Sequence, residues 1–113
     1  MKVPINFLEI EDFKVEFKCF DITKKALVQF LENAYQDNSK NFIEDYYNDL
    51  HVVLNDYKFE NESISFSRSY SYNPPLDYIT ISIRIYDMED IYVGEYRAFY
   101  DLEFKMFDDK IRV

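Results

Sequence analysis

The chain has 113 residues, is 48% hydrophobic, and carries a net charge of −9 from 22 acidic and 13 basic side chains. That size and composition fit one globular domain over 1–113, globular rather than disordered and large enough to bury a core without disulfides. The acidity disfavours direct nucleic-acid contact, and no apolar run approaches the roughly 20 residues of a membrane helix.

Residues 1–12 fit no single pattern. From Phe13 to Phe20, Phe13, Val15, Phe17 and Cys19 alternate with Lys14, Glu16 and Lys18, which predicts a first strand. Cys19, the single cysteine, falls on its apolar face and reads as a small buried hydrophobe. One cysteine and no apolar signal-type run at the N-terminus fit a cytoplasmic setting.

Asp21 can cap a helix reaching about Gln36, with Leu27, Phe30, Leu31 and Ala34 inward. Asp37, Asn38 and Ser39 break it and can cap a second helix to about Tyr57. Ile43, Tyr46, Tyr47, Leu50, Val53, Leu54 and Tyr57 form that helix's apolar stripe, and Asp45, Asn48, Asp49 and Asp56 face solvent. His51, the single histidine, lies inside this helix with no nucleophile or orienting group nearby in sequence. No metal-ligand spacing, phosphate-cradling glycine loop or nucleophile–base pair is present, so neither metal nor organic cofactor nor catalytic residue is expected.

From Glu62 onward the pattern is all strand. Serines alternate with Ile64, Phe66, Arg68, Tyr70 and Tyr72, and Asn73-Pro-Pro-Leu-Asp77 ends the run. Ile79, Ile81, Ile83 and Ile85 then alternate with Thr80, Ser82 and Arg84 in a central half-buried strand over 78–86. Two more strands, 91–100 and 105–113, follow the turns Asp87–Asp90 and Asp101–Phe104. Four-residue loops would set Ile83 against Gly94 and Ile79 against Ala98, leaving room there for a helix. They would also bring Phe107 inward against Ala98, pair Arg97 with Asp108 and Glu95 with Lys110, and place Asp109 inward opposite Tyr96.

The serine strand has two solutions. With Tyr72 facing Tyr78 the serines point inward, and the outer face becomes an aromatic platform studded with arginines. With shifted parity the aromatics turn inward and the serines meet water. Either way the predicted fold is a two-layer α+β domain in the order β-α-α-β-β-β-β. Its two helices pack on one face of a mostly antiparallel sheet of about five strands.

Tyr92-Val-Gly-Glu-Tyr-Arg97, then Asp101-Leu102 and Asp108-Asp109, resembles the terminal hairpin of some small bacterial immunity proteins, with Phe104 where a glycine is expected. The resemblance implies a cytoplasmic protein that binds a toxin domain and blocks it without catalysis of its own. An acidic, aromatic-rich domain suits such a protein-binding inhibitor, and its partner is expected to be basic. The expected binding surface combines Tyr70, Tyr72, Tyr78, Tyr86, Asp87, Glu89, Asp90 and Tyr92, and the same outer face offers a route to a homodimer.

Two other readings compete. One is a small-molecule-binding or enzymatic domain resembling the nuclear-transport-factor-2-like superfamily, with Tyr46, Tyr47, His51, Tyr96 and Asp109 lining a pocket between sheet and helices. The other is an acidic mimic of nucleic acid.

Overall fold

A computed structural model describes residues 3, 4 and 6–113. Four helices precede four strands: α1 (Phe7–Glu16), α2 (Cys19–Asp37), α3 (Ser39–Tyr46), α4 (Leu50–Asp56), β1 (Lys58–Ser69), β2 (Leu76–Tyr86), β3 (Tyr92–Tyr100) and β4 (Met106–Arg112). The strands form one antiparallel sheet in the order β1-β2-β3-β4. The domain is therefore α+β, with the helices on one face of an open sheet and four strands where about five were expected.

The expected first strand is helix. Asn6 caps α1 by accepting from the Glu9 amide at 2.9 Å, and the helix runs to Glu16. Phe13 and Phe17 satisfy a period of two and a spacing of i, i+4 equally well, and their rings lie 4.8 Å apart. Val15 breaks the tie: a strand would bury it, and here it is 71% exposed. Lys18, in the left-handed region at φ 50°, turns the chain into α2, and Cys19 is buried as expected, at a helix start.

α2 is the spine of the helical layer, lying against β2 and β3 and touching all three other helices. Leu27 and Leu31 are fully buried, and Phe30 and Ala34 pack beside them. Asn38 ends it and caps α3 by accepting from the Asn41 amide at 3.1 Å. The single long helix expected to Tyr57 is two short ones. Tyr47 takes φ 67°, Asp49 caps α4 through the Val52 amide, and the Tyr57 hydroxyl clamps the elbow. That hydroxyl donates to the Tyr46 carbonyl and accepts from Asn48 Nδ2.

β2 is central, with Ile79, Ile81, Ile83 and Ile85 all fully buried against the helices. β1 begins earlier than expected, at Lys58, and carries a bulge between Asn61 and Ser63. The loop back to β2 is one residue longer than assumed, so Ser69 pairs with Leu76. That odd shift selects the second solution. Ile64 and Phe66 turn inward, Phe66 against the Phe13 ring at 5.2 Å, and Ser65 and Ser67 pair with Thr80 and Tyr78 on the outer face.

The two hairpins on the other side of β2 are shifted by two residues from the expected register. Ile83 pairs with Tyr96, Ile81 with Ala98 and Ala98 with Asp109. Both loops have five residues because an aspartate organises each one. Asp87 Oδ1 accepts from the amides of Glu89 and Ile91, and Asp101 Oδ1 accepts from those of Glu103 and Lys105. The fourth position of each loop is left-handed: Asp90 at φ 63° and Phe104 at φ 59°. An even slip keeps the faces and changes the partners. Asp109 is thus inward as expected, and the Arg97–Asp108 and Glu95–Lys110 cross-strand pairs are not formed. Arg97 instead binds Glu95 on its own strand at 2.9 Å. A bulge turns Phe107 onto the outer face, against Phe99 and Tyr78. Gly94 makes room for the end of β4 rather than for a helix: a Cβ there would stand 2.8 Å from the Arg112 carbonyl.

Candidate functional site

The helices cover one face of the sheet and leave the other open. Two aromatic clusters occupy opposite ends of that outer face, with Thr80 and Ser82 between them; from Tyr78 to Tyr86 the span along β2 is about 26 Å at ~3.3 Å per residue. They do not form the continuous platform that inward-pointing serines would have given, since Phe66 is drawn into the core.

At the first end, Tyr78, Phe99 and Phe107 hold mutual ring distances of 6.1–6.5 Å. With Tyr72 from the β1–β2 loop they line a shallow cleft of about 210 Å³. The Lys110 ammonium sits 5.5 Å over the Phe99 ring, a cation–π contact. Tyr70 is highly exposed and lies outside this cleft, on the loop beyond Arg68. Arg68 binds Asp77 through two nitrogens, at 2.6 and 3.0 Å, and this fork holds the Asp77 carboxyl below its usual range.

The second end leads into the β2–β3 hairpin tip. The rings of Tyr86 and Tyr92 are 6.0 Å apart, and the Arg84 guanidinium lies 5.9 Å over Tyr92. The three carboxylates expected to act together have different duties. Asp87 is committed to the loop amides, Asp90 pairs with Lys58, and only Glu89 projects into solvent without a partner among the described residues. Met88, Ile91 and Tyr92 are each more than half exposed beside it. Met88 and Ile91 were missed as candidate contacts: loop residues have no periodicity to mark them, and only the five-residue loop turns them outward together.

The expected pocket residues are not assembled into one cavity. Tyr46 is buried against Phe42, Tyr47 is exposed in the elbow between α3 and α4, His51 is exposed on α4, and Tyr96 is buried with its hydroxyl on Asp109 at 2.7 Å. Burial pushes the Cys19 thiol up to about 11 and, with the nearby Asp45 charge, the Tyr46 phenol up to about 12. Such shifts hold both groups neutral and unreactive near pH 7. Among the described residues no cluster of three or more His, Cys, Asp or Glu side chains could hold a metal ion, and no helix is long and apolar enough to cross a membrane.

Protein-family models, characterised proteins and solved structures offer no match to this chain.

The hairpin tip offers a contact surface. It combines apolar and aromatic side chains, rigid on a tight loop, with one free carboxylate beside them and a guanidinium stacked behind. Aromatic and methionine side chains supply contact area at interfaces, and a rim charge orients the approach of a partner.

Proposed function

We propose that this protein is a non-catalytic, acidic protein-binding domain, an immunity-type inhibitor that engages a basic toxin domain through the β2–β3 hairpin tip and the adjoining outer sheet face. The observation that carries the reading is the exposed group of Met88, Ile91 and Tyr92 beside Glu89, unpaired among the described residues, at the end of the sheet face opposite the helices. Charge complementarity defines the partner: a chain of net charge −9 attracts a basic one at long range, and the tip offers an uncommitted carboxylate at the point of contact. The resemblance of the C-terminal hairpin to bacterial immunity proteins supplies the class of partner and a cytoplasmic setting.

Toxins and their inhibitors are encoded side by side, so the test uses the purified product of the adjacent gene. Hydrogen–deuterium exchange of the complex is expected to protect 86–92 and the neighbouring ends of β2 and β3. Absence of a stable complex, or protection confined to the helical layer, overturns the reading.

A further inference from the structure

α2 lies over β2 and β3, and at its margin an open trough of about 490 Å³ runs between α2 and β4. Ala26, Phe30 and Ala34 from the helix and Met106 from the strand give it an apolar lining, beside Gln29 and Asn33, whose amides bond to each other at 2.9 Å. Asp37 and Asp109 stand at its rim, and neither has an ion-pair partner among the described residues. Asp109 is held in place from beneath: fully buried Tyr96, its ring 5.7 Å from that of Phe30, donates its hydroxyl to Asp109 Oδ2 at 2.7 Å. The other carboxylate oxygen has no protein donor among the described residues. The tyrosine hydroxyl itself stays protonated, because burial, then its bond to Asp109, raises its pKa.

We infer that this trough is a second contact point for the partner, receiving one lysine or arginine side chain whose aliphatic stem lies on Phe30 and Met106 and whose charged head binds Asp109. The inference rests on the protein-binding reading above and adds to it a site away from the hairpin tip. The chemistry is complementary at both ends. An apolar lining suits the methylene stem of a long basic side chain, and a half-buried, pre-oriented carboxylate makes a stronger charge-assisted hydrogen bond than a solvated one. Asp37 adds a second negative charge over the same trough. The source is a protein side chain and not a free amine, since small-molecule sites enclose most of their ligand. This trough is only partly enclosed, so a partner surface is needed to complete the cover over the cation.

The test titrates the full-length protein, followed by amide NMR, with a synthetic peptide bearing one central lysine between valines, acetylated and amidated at its ends. The expected result is shifts confined to residues around Phe30, Asp37, Met106 and Asp109. Affinity should fall at least tenfold when the peptide lysine is acetylated and in Asp109→Asn, which keeps an acceptor for the Tyr96 hydroxyl. Asp37→Asn, at an exposed position, should weaken binding by a smaller factor and guards against a folding defect in the first variant. No shifts, shifts elsewhere, or undiminished binding by Asp109→Asn overturns the inference. Butylamine shifting the same amides at the same concentration as the peptide overturns the choice of a protein side chain. A protein that binds its partner through the hairpin tip yet ignores the peptide loses this inference and keeps the first.

Discussion

The hydroxyls of Thr23, on α2, and Tyr100, at the end of β3, meet at 2.7 Å with both residues buried. They are 77 positions apart in sequence, and the bond ties the helical layer to the sheet. Removing one partner strands the other in a dry site, at roughly 1–3 kcal/mol, whereas removing both leaves nothing unsatisfied. Thr23→Val and Tyr100→Phe should each lower stability in urea denaturation, and the double variant should lose clearly less than the sum of the two. Additive losses would mean that the hydroxyls do not depend on one another.

The two β-hairpin loops share a geometry and should respond oppositely to glycine. Asp90, exposed and left-handed, gives up only a solvent-screened surface ion pair with Lys58, so Asp90→Gly should be neutral or slightly stabilising. Phe104 adopts the same strained backbone but stacks on Tyr100 at 4.2 Å and 7°, with Phe13 and Phe17 at its edges. Phe104→Gly relieves ~1–2 kcal/mol of backbone strain and forfeits most of an aromatic side chain's burial, typically 3–5 kcal/mol. A net loss of about 1–4 kcal/mol is expected, read as a shift of the denaturation midpoint at unchanged slope.

Alkaline pH should destabilise the fold. Cys19 ionises near 9 when free and about 11 when folded, and Tyr46 near 10 and about 12. Both pKa values are raised, so the unfolded chain loses these protons first. The stabilisation is complete below pH 9 and is lost progressively as pH climbs through 11 and 12, on the order of 2–3 kcal/mol per group. Unfolding free energy followed from pH 7 to 11.5 should be flat and then fall. In Cys19→Ala the fall should begin about one pH unit later.

At the hairpin tip, charge and contact area should separate kinetically. Glu89→Lys should slow association with the partner and flatten its salt dependence, leaving dissociation nearly unchanged. Tyr92→Ala should mainly speed dissociation, by an amount equivalent to about 2 kcal/mol for an interface anchor. Asp87 is unsuitable for such a test, since its carboxylate builds the loop. Surface plasmon resonance of both variants would show wild-type rates if the tip were idle.

The isoleucines of β2 could be read from the sequence because a period of two is local: each side chain's face follows from its neighbour's. The same periodicity carried Asp109 to the correct face beside Tyr96, since a slip of two residues keeps the faces wherever no bulge intervenes, as one does at Phe107. What the sequence left open turned on distances between residues remote in the chain. Phe13 and Phe17 suit a strand or a helix, and contact with Phe66 and Phe104 makes them the buried stripe of α1. The helix expected through Tyr47 breaks where Tyr57 folds back to hold the Tyr46 carbonyl and Asn48. One extra loop residue before Leu76 sends Phe66 inward and the serines outward, splitting the aromatic face into two clusters. Local pattern fixes the orientation of a side chain relative to its neighbours. Only packing across the chain sets loop length and strand partner, and with them which side chains share a surface.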